Sequence, residues 1–304
     1  MSKLLFSVIC ASKNEEDHIE ELIDTFNKAN SGDAELIIVD DSADKTKELV
    51  KGKANKNIIL IDGNNTGCCN ARNKGVLESS GQIITYMTAD SIFIPDFFEK
   101  IKQYFEQGFD VVMTSSQVLN TDNIWARYIQ CWSESKIEKD INFSPLTSQG
   151  YSVRKSAAIS EGLIEAGSKN PNICRDYTLV QKLEKKKYPK IFAKDIVCYH
   201  KAPSTFKEFI NNQYTRGVIS GGTTIRYTNR GYIISYFRSC IKLIIILLNI
   251  FLPFLIILRT LKMQKFSNYN DMLFFLLIFY LKSFCFITGE FVTIIKFNLG
   301  YFKK

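Results

Sequence analysis

Four polar clusters recur early in the chain, each directly after a short apolar run. Asn14-Glu15 follows residues 4–10, and Asp40-Asp41-Ser42, with Asp44 and Thr46, follows residues 35–40. Asn65-Thr66-Gly67 follows residues 58–62 and leads to Arg72-Asn73, and Thr88-Ala89-Asp90 ends the run at 82–87. Taken singly, a carboxylate in such a place is commonly a turn former or a helix N-cap. Taken together they suggest more. Convergent carboxylates, one arginine and a glycine-bearing turn are what a metal-bridged diphosphate needs: hard oxygen ligands for the ion and a guanidinium for the phosphates.

The elements between the clusters would bring them together. Residues 16–28 carry Ile19, Leu22, Ile23 and Phe26 on one helical face. Residues 71–79 and 95–107 read as further helices, the second with Pro95 in its first turn. Residues 109–114 read as a fifth strand. Strand–helix alternation of this kind implies right-handed crossovers and a mostly parallel sheet covered on both faces. Ligands of such sheets bind beyond the carboxyl ends of the strands, where all four clusters fall.

The 304 residues suffice for a full-sized core and more than one folding unit. Of the eight cysteines, Cys68 and Cys69 are adjacent and none forms a metal-type CxxC pair. With no amino-terminal secretory signal, this pattern predicts reduced thiols in a cytosolic compartment. His18 and His200 are the only histidines, which excludes a multi-histidine metal centre. The net charge of +8 lies wholly in the tail. From Asn229 onward ten basic residues face two acidic ones, and the first 228 residues balance at 29 against 29. Basic residues flanking apolar segments suit an anionic membrane surface better than a nucleic acid, so no nucleic-acid partner is expected.

The linked segments SVICASKNEE, ELIIVDDSADKT and NNTGCCNARNKGVLESSGQIITYMTAD resemble family-2 glycosyltransferases of the GT-A fold, a Rossmann-like nucleotide-sugar-binding sheet. The likeness covers most of residues 6–90. It implies that Asp41, beside Asp40, contacts the nucleotide base and that Arg72 lies near the base or the phosphates. It implies further that Asp90 ligates Mg2+ or Mn2+, which would neutralise the diphosphate leaving group. The family's DxD motif stands here as Thr88-Ala89-Asp90, so the first carboxylate is missing. Thr88 can still offer a hydroxyl to a ribose, and the metal must lean on another ligand. His200, in VCYHKAP, matches a histidine that many members place near the metal.

An inverting transfer needs a carboxylate to take the proton of the acceptor hydroxyl. The family's ED pair is represented by Arg175-Asp176, so the resemblance assigns the base to Asp176, with Leu179 and Leu183 keeping the helical register. The bland alternative is a helix cap. Ser148-Gln149-Gly150 with Arg154 resembles the segment that shapes the acceptor pocket. Gln213-Tyr214-Thr215-Arg216-Gly217 resembles a QxxRG signature in which Gln213 and Arg216 serve the donor diphosphate.

Residues 243–258 contain no charge, and residues 272–295 are apolar except for Lys282 and Glu290. Lys282 at mid-segment would cost roughly 2.5–3.5 kcal/mol on insertion, which pairing with Glu290 would offset. These segments are expected to attach the protein to a membrane, spanning it or lying in its cytosolic leaflet, with the catalytic part cytoplasmic. A buried dimer interface is the competing reading. The expected layout is a nucleotide-sugar half over residues 1–115, an acceptor and catalytic half over 116–228, and hydrophobic membrane helices over 229–304. The expected function is metal-dependent, inverting hexosyl transfer from a nucleotide-sugar to a lipid-linked or cell-surface glycan. A polyprenyl-phosphate sugar synthase and a catalytically weak scaffold of the same fold are the alternatives.

Overall fold

The computed structural model describes residues 5–137, 149–164, 177–227, 231–251, 254–263 and 269–299. Two units emerge, Met1–Gln117 with Ser144–His200, and Val118–Phe143 with Lys201–Lys304.

The first unit is built on an eight-stranded sheet of order β3-β2-β1-β4-β7-β6-β8-β5. Strands β1 (Phe6–Ser12), β2 (Ala34–Asp40), β3 (Ile58–Asp62) and β4 (Ile83–Met87) run parallel. Helices α1 (Ile19–Ala29), α2 (Thr46–Gly52) and α3 (Cys68–Glu78) connect them. β1, β2 and β4 are covered on both faces, which is why they read as unbroken apolar runs. On one face Phe6, Val8 and Cys10 pack with α1 and with Phe97, Phe98 and Ile101 of α4 (Phe97–Glu106). On the other, Ile9, Ile37 and Val39 pack beneath α3. Gly75 permits that approach, since a Cβ there would lie 2.7 Å from Ile9 Cγ2.

Beyond β4 the sheet becomes mixed. β7 (Tyr151–Arg154) runs antiparallel to both β4 and β6 (Val111–Val118), and β5 (Ser91–Ile92) runs antiparallel to β8 (Lys190–His200). β5 and β7 are too short to give a period in the sequence, as are α2 and α6 (Lys155–Ser160). Helix α7 (Tyr177–Lys185) follows, burying Leu179 and Leu183 in the second core.

The second unit is helical: α5 (Ile124–Ile137), α8 (Phe206–Tyr227), α9 (Gly231–Phe251), α10 (Phe254–Met263), a 3-10 turn at Tyr269–Asp271, and α11 (Met272–Asn298). Tyr128, Cys131, Phe209, Met263, Phe275 and Ile278 form its core. Arg127 grips Asp271 through two hydrogen bonds of 2.6 and 3.0 Å. Gly221 lets α8 approach α11 so closely that a Cβ there would lie 3.1 Å from the Glu290 carbonyl oxygen.

In the tail one expectation is corrected, the pairing of Lys282 with Glu290. The charge-free stretch 243–258 is divided between α9, which ends at Phe251, and α10, which starts at Phe254. Glu290 does not pair with Lys282, because eight residues along one helix separate them by about 12 Å. The buried Glu290 carboxylate instead accepts hydrogen bonds from Lys242 Nζ (2.6 Å), Ser220 Oγ (2.8 Å) and Ser239 Oγ (3.1 Å). Lys282 Nζ lies 3.5 Å above the centre of a Trp132 ring, a cation–π contact. Among the described residues one helix, Met272–Phe297, is long and apolar enough to cross a membrane.

Candidate active site

The strand register sets out the carboxyl edge of the sheet: Ser12, Asp40 and Asp62 are Cα partners across β1, β2 and β3. Asp40 is fully buried. Its Oδ2 accepts the Ser12 and Ser42 hydroxyls and its Oδ1 accepts the Ser42 amide. Although the sequence groups it with the donor contacts, its oxygens are thus taken up in bracing β1 against β2. Asp41 is half-buried, and its Oδ1 accepts the Asn65 amide at 2.7 Å. It rests on Gly63, where a Cβ would lie 2.7 Å from the Asp41 Cγ. Asn64 and Asn65 adopt left-handed backbone, with φ of 56° and 54°, which asparagine tolerates better than most residues. The turn therefore curls back and delivers its amide to Asp41.

A clasp between the loops after β1 and β2 fixes this corner. Asn14 donates its amide to Ser42 Oγ and accepts the Ala43 amide, and the Glu15 amide donates to Thr46 Oγ1. Asp44 closes the turn on the Thr46 amide and hydroxyl. Burial tends to raise the Asp44 pKa, but the Thr46 bonds outweigh it and hold the carboxyl below its ordinary value.

Arg72 is buried on α3. The Cys10 thiol, near the end of β1, reports its electrostatic setting. Burial pushes that thiol up, Arg72 pulls it back down, and Glu15, Asp90 and Asp40 each push it up. One guanidinium and three carboxylates therefore act on a single point at this edge. The neighbouring Asn73 exchanges two hydrogen bonds, of 2.7 and 3.1 Å, with the Ile164 backbone.

The altered DxD segment and His200 are brought together by backbone pairing. Ser91, directly after Asp90, is the partner of His200 across β5 and β8. No described hydrogen bond or ion pair occupies the Asp90 carboxylate, whereas Thr88 is engaged internally. Its hydroxyl meets Ser91 Oγ at 2.8 Å and accepts from Gln149 Nε2 at 3.4 Å. Gln149 Oε1 accepts the Ser116 hydroxyl at 2.5 Å, and Ser116 Oγ lies 3.1 Å from His200 Nδ1. Ser91 and Ser116 were not singled out from the sequence; the only signal was the polar run 114–117 at the end of a strand on this edge. Arg154 lies elsewhere. It pairs with Ile83 at the start of β4, is bound to Asp110 at 2.7 Å and sits over the Phe105 ring.

Gln213 and Arg216 belong to α8 in the helical unit. Gln213 is buried, and its Oε1 has no hydrogen-bond partner among the described residues. Arg216 is exposed overall, yet its surroundings desolvate the guanidinium enough to lower its pKa; it stays charged all the same. Asp176 lies outside the described residues, directly before α7. Cys68, in the first turn of α3, is disulfide-bonded, where the sequence suggested a reduced thiol; the six other cysteines among the described residues are thiols outside any disulfide.

Among the described residues no cluster of three or more His, Cys, Asp or Glu side chains could hold a metal. Asp90 and His200, brought near one another by the Ser91–His200 backbone pairing, could offer one oxygen and one nitrogen. That suits an ion such as Mg2+ or Mn2+, which keeps several waters and completes its shell with substrate phosphates.

Residues 7–166 match the model of Glycosyl transferase family 2. A curated relative, the UDP-Glc:alpha-D-GlcNAc-diphosphoundecaprenol beta-1,3-glucosyltransferase of Escherichia coli, is 26% identical over 48% of this chain and 60% of its own. The chain spans less than two thirds of the length of the curated relatives it matches. S. aureus TarS 1-349, solved with UDP-GlcNAc, superposes with a TM-score of 0.54 at 13% identity, over 97% of this chain and 92% of TarS. The mannosyltransferase PcManGT from Pyrobaculum calidifontis, solved with GDP-Man and Mn2+, gives 0.54 at 16% identity, over 74% and 65%. The family model covers more than half of the chain and its segments carry the geometry above, so this chain belongs to Glycosyl transferase family 2 and has a GT-A fold.

Proposed function

We propose that the protein transfers a hexose, with inversion, from a nucleotide-diphosphate donor to a lipid-linked or cell-surface glycan. The observation that carries this reading is the placement at strand ends of Asp41, on its Gly63 seat, and of Asp90, beside the Ser91–His200 backbone pairing, with Arg72 and Asp90 both acting on Cys10. Asp41 receives the base, Arg72 balances the phosphates, and Asp40 braces the corner. Asp90 and His200 would hold a divalent ion, which would neutralise the diphosphate as it leaves. Asp176 takes the acceptor proton. Gln213 and Arg216 are assigned to the diphosphate by the QxxRG resemblance. The bound nucleotides of the two structural neighbours support the donor class, and the Mn2+ of one supports the metal.

The acceptor reading rests on the helical unit and on the E. coli relative, whose name specifies a diphosphoundecaprenol-linked substrate. Along α9, Tyr236, Phe237, Ile241, Ile244, Ile245 and Leu248 are exposed, while Ser239 and Lys242 turn inward to Glu290. Apolar outside and polar inside is the arrangement a lipid environment demands. It favours membrane attachment by this unit, with the catalytic unit on the cytoplasmic side.

Titration calorimetry of the purified protein with UDP and with GDP, each with and without Mn2+, tests the donor site. One nucleotide should bind more tightly with Mn2+ present; Asp41→Ala should weaken binding, and Asp90→Ala should remove the metal effect. Failure of both nucleotides to bind the intact protein would overturn the proposal.

A further inference from the structure

Among the described residues α11 alone is long and apolar enough to cross a membrane, and its packing bears on whether it does. α8 lies against its middle. A Cβ on Gly217 would overlap the Phe286 carbonyl oxygen, and one on Gly289 that of Tyr214, so the two backbones touch at this level. Ser220 Oγ donates to Glu290 at 2.8 Å, and the Thr293 hydroxyl reaches the Val218 carbonyl at 3.3 Å. Phe286 stands close to the centre of Met272–Asn298. A spanning α11 would therefore carry the exposed Arg216, next to Gly217 in α8, to the level of the bilayer midplane. A charged side chain costs most there. Lys282 and Glu290, one turn to either side of Phe286, would lie in the same hydrocarbon layer.

α9 has the opposite character. Its exposed Tyr236, Phe237, Ile241, Ile244 and Leu248 share one broad stripe, and Ser239 and Lys242 lie on the other side, turned to Glu290. The helical unit also carries the positive charge of the chain. Residues 118–143 and 201–304 hold 17 basic and 7 acidic residues, a net +10, against 22 and 24 in the sheet unit. Both carboxylates of the tail are engaged, Asp271 by Arg127 and Glu290 by Lys242. A positive unit with an apolar, aromatic-bearing helix face complements the surface of an anionic bilayer.

We infer that the protein sits on one side of an anionic bilayer without crossing it. α9 lies in the plane of the interface with its outward stripe against the acyl chains, and α11 is an internal strut that holds α8. This rests on the membrane attachment proposed above and adds its topology and its lipid.

Two epitope tags test the topology, one inserted between α10 and α11 and one at the carboxyl end of the full chain. In sealed, inverted inner-membrane vesicles of an expression host, added protease should remove both; protection of either tag overturns the inference. The purified untagged chain, diluted from detergent, should sediment with phosphatidylcholine vesicles that contain phosphatidylglycerol. Binding to phosphatidylcholine alone should be about tenfold weaker or more, the effect of one or two cations near the surface. Phe237→Glu with Ile241→Glu should abolish sedimentation and leave helix content and melting unchanged, since both side chains are exposed. Equal affinity for the two vesicle types, or wild-type binding by the folded double variant, overturns the inference. Failure of the intact chain to bind either vesicle refutes membrane attachment itself; a dimer in that case, split by the double variant, would make α9 a contact between copies.

Discussion

Gly63→Ala places a methyl group against Asp41 without altering any residue proposed to touch the nucleotide. Gly63 does not need positive φ, so the backbone can accept alanine; the conflict is with the carboxylate alone. The new Cβ would sit 2.7 Å from Cγ and 3.0 Å from Oδ2 of Asp41, where ordinary contact begins at 3.4 Å. The carboxylate must therefore move by about 0.7 Å or rotate away, which also breaks the 2.7 Å bond from the Asn65 amide. If Asp41 contributes one charge-assisted hydrogen bond to the base, worth about 1.5–3 kcal/mol, nucleotide affinity should fall by roughly 10- to 150-fold. Melting should change little, since a half-buried side chain at a loop edge can turn toward water at small cost. Calorimetry with the preferred nucleotide and Mn2+, beside a melting curve, checks both. Wild-type affinity in a folded Gly63→Ala protein, with Asp41→Ala equally unaffected, would refute the placement of Asp41 at the donor.

Asp176→Asn should lose most turnover while keeping nucleotide affinity; turnover on a par with wild type would instead favour a lipid-phosphate acceptor, which needs no strong base. Glu290→Ala strands the Lys242 charge among apolar helices and should destabilise the helical unit by about 3 kcal/mol. Unfolding in micelles would measure this, and the Lys242→Met/Glu290→Met double variant should recover much of the loss. Asp195 accepts the Tyr104 hydroxyl at 2.5 Å and, with burial adding to the effect, pushes its pKa from 10 to about 12. Because the folded state holds this proton more tightly, the contribution is complete below pH 10 and is lost as pH rises through 12. The stability gap between Tyr104→Phe and wild type should therefore be present at pH 8 and narrow across that window.

The parallel half of the sheet, and the candidate residues at its edge, were legible in the chain because each is local. β1, β2 and β4 are buried on both faces and therefore read as apolar runs, and the residues ending them, from Asp41 to Asp90, fall within the segments that resemble the family. Burial and lone-pair occupancy are not local. Nothing in the order Asp40-Asp41 says that the first is consumed by Ser12 and Ser42 while the second rests on Gly63. The pairing of Ser91 with His200 bridges 109 positions through a two-residue strand, too short to leave a period, so Ser116 stayed anonymous until the sheet closed around it. In the tail, composition gave the apolar segments but the packing of α8, α9 and α11 chose the partner of Glu290, because a charge on a rigid helix meets only what its own face is turned toward. Composition fixes which groups are available; the tertiary fold decides which oxygens and nitrogens are left to do chemistry.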